Sequence, residues 1–277
     1  MNEAELLFTS VLGCDRAQLY LNRDAILSAA HSRSIASALR RRMRGEPMQY
    51  ILGTTEFMGL EFRVTPAVLV PRPETEIVVE KVIELVKRLM CNGKRIKILD
   101  IGTGSGCIAV SLAHFLPYAC IDAVDISIQA LAVARDNARS HGVQERIRFI
   151  QKDVMARHQL SRIPYPVSQY DFVISNPPYV PTGEIRTLQP EVQHEPRLAL
   201  DGGKDGLDFY RRIMRVAPEY LTAGGWLVME MGCGQYKMIL RLLEESGSFR
   251  CKEVVKDYQR IERVVFAQSK GREVAYG

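Results

Sequence analysis

The chain of 277 residues is long enough for one large domain, or for one domain with a smaller companion. Its 47% hydrophobic and 25% charged residues are an ordinary globular mixture, and the net charge of +5 permits an anionic or ribosome-associated partner without requiring one. The six cysteines are scattered without a C-x-x-C pair, which argues against a zinc site or a disulfide framework.

We therefore expect reduced thiols, no metal and a cytoplasmic location. No apolar run is long enough to span a membrane, and the acidic N-terminus, MNEAELLFTS, lacks the basic region of a secretion or transit peptide.

Residues 2–44 are predicted to be helical, because their apolar residues recur at helical spacing. One set is Leu6, Leu7, Val11 and Leu12, and a second is Ile26, Ala29, Ala30, Ile35 and Leu39. Asn22 or Asp24 is expected to cap the second helix. The basic run 40–44 that follows is either a solvated helix end, favoured by the helix dipole, or a docking face for an acidic or RNA-containing partner.

Residues 48–70 alternate apolar and polar residues around Gly53 and Gly59, which predicts a hairpin-like linker. Three prolines follow, and then residues 74–90 form a strongly periodic helix with acids in its first turn. This change of pattern predicts two domains: residues 1–70, helical with a hairpin linker, and residues 71–277.

From Arg95 onward, strand and helix patterns alternate. The predicted strands are 96–101, 119–124, 147–151, 170–175, 225–231, 251–256 and 262–267, and the predicted helices lie around 106–115, 128–141, 206–221 and 235–246. This alternation predicts an α/β fold with a seven-stranded, mostly parallel sheet covered by helices on both faces.

A glycine-rich loop, Gly102-Thr103-Gly104-Ser105-Gly106, follows the first of these strands and opens a helix. Glycines let the backbone turn tightly and approach a ligand closely, and the free N–H groups of a helix N-terminus favour an anionic group. The third glycine falls one position earlier than in the dinucleotide fingerprint G-x-G-x-x-G, which weakens a nicotinamide interpretation without excluding it.

Two acids follow the next two strands. Asp125 ends the second strand, where an acid can accept hydrogen bonds from both hydroxyls of a ribose, or it could be the N-cap of the helix that follows. Asp153, followed by Val154, comes after the third strand and is a weaker candidate for contact with an adenine amino group, because a loop acid there could equally be a cap.

Asn176-Pro177-Pro178-Tyr179 follows the buried strand 170–175. The two prolines remove two N–H donors and stiffen the backbone, so the segment presents carbonyls, the Asn176 side chain and an aromatic ring. Such a segment suits a planar –NH2 group, with two acceptors for its hydrogens and a ring face for stacking. The alternative is a plain turn stopped by prolines.

Together these residues resemble the class I S-adenosylmethionine-dependent methyltransferases, and more narrowly the HemK-type release-factor glutamine N5-methyltransferases. The more specific parts of the resemblance are Pro71-Arg72-Pro73-Glu74-Thr75-Glu76 and the block 202–208, G-G-K-D-G-L-D. Shorter matches include Gly45-Glu46-Pro47 and Glu195-Pro196.

The resemblance implies methylation of the glutamine side-chain amide in the Gly-Gly-Gln motif of class I peptide-chain release factors. S-adenosylmethionine would be the methyl donor and S-adenosylhomocysteine the product. Residues 102–106, Asp125, Asp153, Val154 and Asn176 would hold the cofactor, with Arg72 and residues 74–76 (Glu74 among them) closing its pocket. Asn176 and Pro177 would accept hydrogen bonds from the target amide, in a pocket completed by Pro178 and Tyr179. The enzyme is expected to be a monomer that binds neither a membrane nor a specific nucleic-acid sequence.

Three other functions remain open from the sequence. An adenine-N6 methyltransferase would use the same motif on another planar amine, flipped out of its stack, although no second large domain for reading a sequence is evident. A non-catalytic S-adenosylmethionine-binding module would not need residues 176–179. A redox Rossmann enzyme ranks last because of the glycine spacing.

Overall fold

The computed structural model describes residues 2–89, 95–156 and 170–271. Its N-terminal part consists of four helices: α1 (Glu3–Leu12), α2 (Arg16–Leu21), α3 (Ala29–Arg42) and α4 (Met48–Leu52). Asn2, Asp15 and Ser28 are the N-caps of the first three, each accepting a backbone N–H bond. These helices enclose a small apolar cluster of their own, built on Leu7, Ile35, Ala38 and Met48.

The predicted start of the second long helix is wrong. Ser28 caps α3 by accepting from the His31 N–H at 3.1 Å, whereas Asn22 ends α2, its side chain donating to the Gln18 carbonyl. Asp24 therefore precedes the helix without capping it, and Ile26 is 99% exposed rather than on a buried face. The spacing of apolar residues predicted that Ile26 belongs to the helix, because spacing alone does not show where one helix ends and the next begins.

The hairpin is confirmed as the antiparallel pair β1 (Thr54–Phe57) and β2 (Leu60–Arg63). Residues 50–52, however, were expected to alternate in the linker and instead lie in α4. Pro47 lies at the N-cap position, where its carbonyl accepts from the N–H groups of Tyr50 and Ile51, and Gly53, at φ +83°, ends the helix. The Tyr50 hydroxyl donates to the Val68 carbonyl at 2.5 Å, which fixes the helix on the segment after the hairpin.

The predicted sheet is confirmed. Its strands are β3 (Ile96–Ile101), β4 (Ala119–Asp125), β5 (Ile147–Gln151), β6 (Tyr170–Ser175), β7 (Leu221–Glu230), β8 (Phe249–Lys256) and β9 (Glu262–Ser269). They lie in the order β5-β4-β3-β6-β7-β9-β8. The first five strands of this order are parallel, and β9 pairs antiparallel with both β7 and β8.

Helices cover both faces of the sheet. The longer ones are α5 (Pro73–Leu89; Met90, its predicted end, lies outside the described residues), α6 (Cys107–Phe115), α7 (Ile128–Ser140), α10 (Asp208–Tyr220) and α11 (Tyr236–Glu245). Ile98 packs in the core under α5 and α6, whereas its neighbour Leu99 packs in the core under α10 and α11. This alternation along a strand is what a two-faced parallel sheet requires.

The strand order reverses at β3, which lies between β4 on one side and β6 on the other. Ligands of open α/β sheets bind outside the carboxyl ends of the strands at such a reversal. The glycine loop and Asn176 follow strands that end there, and Asp125 is the last residue of β4. Two short helices, α8 (Pro190–Gln193) and α9 (Arg197–Leu200), lie in the connection after β6. Among the described residues, no helix has the length and apolar character needed to cross a bilayer.

Candidate functional site

A cavity of about 380 Å³ opens at the carboxyl ends of β3, β4, β5 and β6. Eleven of the fourteen predicted site residues line it: Arg72, Gly102, Thr103, Gly104, Ser105, Asp125, Asp153, Val154, Asn176, Pro177 and Pro178. Gly106, Tyr179 and Glu74 are not among the lining residues. Residues that the chain separates by more than a hundred positions thus meet at one edge of the sheet.

The glycine loop turns its bare backbone toward this cavity. Gly102 and Gly104 have positive φ (+76° and +55°), and a Cβ added at either would meet no atom within 4 Å. A ligand can therefore approach the backbone closely. Gly106 plays a different part, as the N-cap of α6 at φ +80°, where an added Cβ would lie 3.0 Å from the Ala134 Cβ. Only glycine brings α6 this close to α7.

Asp100, directly before the loop, is fully buried. Its Oδ2 accepts a hydrogen bond of 2.6 Å from the Thr103 hydroxyl, while no described group bonds to its Oδ1. Burial raises the pKa of Asp100 to about 7. This carboxyl therefore holds the loop's second residue from beneath, outside the cavity.

Asp125 lines the cavity and also supports the loop. Its Oδ2 accepts from the Gly104 N–H and its Oδ1 from the Ser127 N–H, both at 2.9 Å. The helix-cap alternative for Asp125 is wrong, since Ser127 is the N-cap of α7 and accepts from the Ala130 N–H. Burial raises the pKa of the Asp125 carboxyl. Each of its oxygens keeps a further lone pair for a ligand hydroxyl.

Asp153 and Val154 form the wall that follows β5. Asp153 accepts from the Met155 N–H at 2.7 Å, so its carboxylate stabilises this turn while facing the cavity. Arg212 on α10 fastens the same turn, donating to the Val154 carbonyl at 2.7 Å and to the Ala156 carbonyl at 2.9 Å. With Ile126 and Phe209, this wall offers an apolar slot suited to a flat ring.

Asn176, Pro177 and Pro178 form the opposite wall, at the end of β6. Tyr179 was expected to present its ring to the same pocket. Its side chain instead packs against the core between the sheet and α10, and burial raises its pKa to about 12. The Tyr179 carbonyl accepts from the Gln235 side chain at 2.9 Å. The tyrosine thus anchors the end of the segment next to the cavity.

The block 202–208 approaches the same segment closely. A Cβ on Gly202 would lie 2.8 Å from the Pro178 carbonyl oxygen, and one on Gly206, which has φ +75°, would overlap the Tyr179 carbonyl. The Val180 N–H bonds to the Leu200 carbonyl and the Gly202 N–H returns to Val180. The glycines therefore let a second strip of chain brace residues 176–180 from behind.

A chain of side-chain hydrogen bonds fixes Asn176. Its Nδ2 donates to the Thr75 Oγ1 at 3.1 Å, and the Thr75 hydroxyl donates to the Glu230 Oε2 at 2.7 Å. Thr75 and Glu230 are both 2% exposed. Burial raises the pKa of Glu230 to about 7, and the hydrogen bond from Thr75 opposes that rise. Neither role was predicted from the sequence; the signals available were an acid at the end of an apolar strand and a threonine inside the block 71–76.

Arg72 lines the cavity and donates to the Glu195 Oε2 at 2.6 Å. The Glu195 side chain is only 1% exposed, and its Oε1 accepts from the Val70 N–H. Glu74 was expected beside Arg72 at the cavity but points elsewhere, its carboxylate lying 3.8 Å from Arg263. Glu76 accepts from the Met58 N–H and so holds the hairpin.

The connection after β6 also contacts the N-terminal helices. Arg42 on α3 pairs with Glu191 on α8 at 2.6 Å and with Glu3 on α1 at 2.9 Å. Arg41 pairs with Glu46. The basic run is therefore not simply a solvated helix end, because two of its arginines are committed to intramolecular pairs. One of these pairs joins the N-terminal helices to the connection after β6, which lines the cavity further along, at Pro196, Leu198 and Ala199.

Within the described residues, no cluster of three or more histidine, cysteine, aspartate or glutamate side chains could hold a metal ion. The cavity's functional groups are instead a bare loop backbone, acids at two strand ends and the Asn176 amide. These groups can hold a nucleoside-like ligand with vicinal hydroxyls on one side of the cavity. The Asn176 amide can hold a second ligand on the other side, facing the first.

Comparison with known proteins shows which families the chain matches. Residues 1–53 match the family model "PrmC N-terminal domain", and residues 82–194 match "Methyltransferase small domain". The chain is 44% identical to the release factor glutamine methyltransferase of Geobacter sulfurreducens, over 95% of this chain and 87% of that protein. It is 41% identical to the one of Moorella thermoacetica, over 96% and 90%.

A solved structure of the hMettl16 catalytic domain in complex with a MAT2A 3′UTR hairpin shares the fold, with a TM-score of 0.59 at 16% identity. The match covers 88% of this chain and 83% of that one. Because the chain is more than 40% identical to these two relatives over nearly its whole length, it belongs to the family of release factor glutamine methyltransferases.

Proposed function

We propose that this protein transfers a methyl group from S-adenosylmethionine to the side-chain amide nitrogen of the glutamine in the Gly-Gly-Gln motif of class I release factors. The observation that carries the proposal is that Asn176 and Pro177 line the same cavity as the glycine loop and Asp125. Groups suited to a nucleoside and groups suited to a planar amide therefore face each other across one space.

The residues present fit the cofactor. Asp125 accepts hydrogen bonds from the two ribose hydroxyls, as an acid at the end of the second strand does in nucleotide-binding sheets. The slot beside Val154 takes the adenine, with Asp153 near its amino group. The backbone of residues 102–105 approaches the methionine portion, where Cβ atoms at Gly102 and Gly104 would project into the open space. Arg72 closes the pocket beside Glu195.

The side-chain amide of glutamine is a poor nucleophile, because its nitrogen lone pair is delocalised into the carbonyl. S-adenosylmethionine supplies an activated methyl group. The Asn176 Oδ1 and the Pro177 carbonyl accept the two N–H bonds of the amide, which orients its nitrogen and stabilises the positive charge that arrives there. Formation of the N–C bond would break the S–C bond and leave S-adenosylhomocysteine, and one N–H proton of the methylated amide would then leave to water.

We also propose that residues 1–70 form a substrate-recognition domain and residues 71–277 the methyltransferase domain. The separate apolar cluster of the N-terminal helices and the separate family match to residues 1–53 support this division. An amide pocket grips one side chain and cannot by itself select one glutamine among many. Specificity then needs a further surface of roughly 800 Å² per partner. We infer that the enzyme acts as a monomer in the cytoplasm, where release factors work.

The test is to incubate the purified protein with labelled S-adenosylmethionine and a release factor, and to map the label by peptide mass spectrometry. A release factor with glutamate in place of the motif glutamine is the matched control. Label on that glutamine alone is expected. Label on adenine in added DNA or RNA, with none on the release factor, would establish the adenine-N6 alternative, and no label on any substrate despite cofactor binding would indicate a non-catalytic module.

A further inference from the structure

We propose that Thr75, directed by Glu230, is a positioning residue that sets the orientation of the Asn176 amide so that its oxygen, and not its –NH2 group, faces the target glutamine. This inference rests on the proposed function, in which the Asn176 Oδ1 accepts from the target amide. It deepens that function by naming what makes Asn176 an acceptor.

The Thr75 hydroxyl has a single proton to donate. Thr75 Oγ1 lies 2.7 Å from the Glu230 Oε2, and both residues are buried. An ionised carboxylate can only accept hydrogen bonds, so the hydroxyl proton lies between these two oxygens. The Thr75 oxygen then has only lone pairs to offer its other neighbour.

That neighbour is Asn176, whose Nδ2 lies 3.1 Å from the Thr75 Oγ1. An oxygen that offers only lone pairs must face the –NH2 end of the amide. Among the described residues, none donates to the Asn176 Oδ1, so this oxygen is available to a ligand in the cavity that Asn176 lines. The Glu230 carboxylate thus fixes the direction in which the Thr75 hydroxyl donates, and the Thr75 oxygen in turn fixes which end of the Asn176 amide faces the cavity.

The alternative orientation has almost the same shape. An asparagine amide rotated by half a turn exchanges oxygen and –NH2 with little change in volume, and only hydrogen bonding distinguishes the two. In the rotated state, Asn176 would point donor hydrogens at the donor hydrogens of the target amide. The site would then repel its substrate and offer no acceptor for the charge arriving on nitrogen.

The experiment compares Thr75→Val, which keeps the shape and removes the hydroxyl, with Thr75→Ser, which keeps the hydroxyl. The readout is the single-turnover rate of release-factor methylation at saturating S-adenosylmethionine, measured at pH 8.5 so that Glu230 is ionised, with cofactor affinity measured separately by calorimetry. We expect Thr75→Val to slow methyl transfer by about tenfold or more, as loss of one transition-state hydrogen bond does, with cofactor affinity changed by less than about threefold. Thr75→Ser should recover most of the rate.

A double variant separates positioning from a merely structural role. If Thr75 acts through Asn176, then adding Thr75→Val to Asn176→Ala should cost little beyond Asn176→Ala alone. Full additivity of the two losses, or a wild-type rate in Thr75→Val, would overturn the inference. Glu230→Met, which removes the acceptor from the buried site, should slow transfer as Thr75→Val does, and a wild-type rate in this variant would remove Glu230 from the proposal.

The outcomes distinguish this inference from the proposed function. If the wild-type enzyme leaves the release factor unmethylated, or if Asn176→Ala methylates it normally, the proposed function or the assigned role of Asn176 fails, whatever Thr75 does. If the wild type is active and Asn176→Ala is slow, while Thr75→Val matches the wild type, only the positioning inference fails.

Discussion

Asp125 accepts a hydrogen bond of 2.9 Å from the backbone N–H of Gly104, so the acid that ends β4 also holds the glycine loop that follows β3. Its second oxygen accepts from Ser127 at the start of α7. One carboxylate therefore joins two strand ends and a helix entrance, and lines the cavity between them. The same carboxylate therefore supports the glycine loop and is the group proposed to bind the ribose.

Replacing Asp125 with alanine should weaken binding of S-adenosylmethionine by more than about 1 kcal/mol, because a charged acceptor for the ribose is lost together with the bond to Gly104. Asp125→Asn, which retains one acceptor oxygen, should bind S-adenosylmethionine with an affinity between those of the wild type and Asp125→Ala. Calorimetric titration measures the affinity. Asp136→Asn removes the same charge from the exposed face of α7 and should bind normally. Unchanged affinity in Asp125→Ala would limit Asp125 to a structural role in the loop.

Gly206→Ala is expected to abolish most methyl transfer. A Cβ there would overlap the Tyr179 carbonyl, and the residue's φ of +75° is unfavourable for alanine, so residues 176–179 must shift. A shift of about 1 Å in the residues that position a substrate lowers the rate by about a hundredfold. Gly183→Ala is the control, since no atom lies within 4 Å of its added Cβ. Turnover and melting temperature are compared, and normal turnover in Gly206→Ala would show that the segment tolerates the shift.

The N-terminal helices should matter for an intact release factor and not for a short peptide. Tyr20, Leu21 and Ile26 are exposed apolar side chains in this region, with exposures of 57%, 83% and 99%. Replacing all three with serine should lower kcat/KM for the intact protein by about tenfold, as loss of interface anchors does. For a peptide carrying the glutamine motif, kcat/KM should be unchanged.

Tyr118→Ser provides the control for this experiment, because Tyr118 is also exposed but lies directly before β4, at the amino ends of the parallel strands and away from the cavity. Removal of residues 1–44 should likewise spare cofactor binding and abolish methylation of the intact release factor, although it also uncovers the buried Met48. Equal loss for peptide and protein substrates would point to damage of the site and contradict the recognition role.

Most of the sheet could be predicted because its central strands β3, β4 and β6 are buried on both faces, so that each reads as an apolar run between helical patterns, whereas the edge strand β8 is largely exposed. All seven predicted strands are present, with ends that differ by a few residues. Motif spacing likewise placed Gly102, Asp125 and Asn176 at strand ends that meet. The same local reasoning failed at Ile26, where the Ser28 side chain caps the start of α3, and at Tyr50, which lies in a short helix that begins after Pro47.

The supporting contacts could not be predicted, because nothing local encodes them. Thr75 and Glu230 are 155 residues apart in the chain, and Arg72 and Glu195 are 123 apart. Each pair forms only once the sheet has brought the ends of α5, β7 and the connection after β6 together. Glu74 shows the converse: its place in the block 71–76 suggested the cavity, but its position on α5 directs it to Arg263.

Stability should depend on pH through Glu230. Burial raises its pKa from 4.5 to about 7, so the folded state binds this proton more tightly than the unfolded state does. The resulting contribution to stability is fully present below pH 4.5 and is lost as the pH rises through about 7. The groups whose charges act on it are Arg72, Glu74 and Arg263, with Thr75 bonded directly.

Glu230→Gln removes this titration. The wild type loses this contribution as the pH rises and the variant does not. The unfolding free energy of the variant minus that of the wild type should therefore increase by up to roughly 3 kcal/mol from pH 5 to pH 8. Urea unfolding at the two pH values measures it. Asp100, whose pKa is also raised to about 7, titrates in both proteins and cancels in the comparison. A variant-to-wild-type difference that is the same at both pH values would mean that the Glu230 carboxyl does not change ionisation in this range.

Asn176→Asp is expected not to restore the rate that Asn176→Ala loses, although aspartate keeps the shape and an acceptor oxygen. Without the Nδ2 donor, two carboxylates, at positions 176 and 230, compete for the one proton of the Thr75 hydroxyl, and one of them stays unpaired. The added charge beside the sulfonium can also strengthen cofactor binding before reaction without lowering the barrier. Single-turnover rates and cofactor affinities are therefore measured separately.

Reversing the polarity of the whole chain of bonds should recover part of that loss. In the double variant Asn176→Asp with Glu230→Gln, the new amide at position 230 can donate to the Thr75 oxygen, which frees the hydroxyl proton for the carboxylate at 176. We expect methyl transfer about tenfold faster than in Asn176→Asp alone, the equivalent of one hydrogen bond to a charged group. Adding Thr75→Val should remove the gain, because the hydroxyl carries it. A double variant no faster than Asn176→Asp would show that the carboxylate at 230 does not set the direction of these bonds.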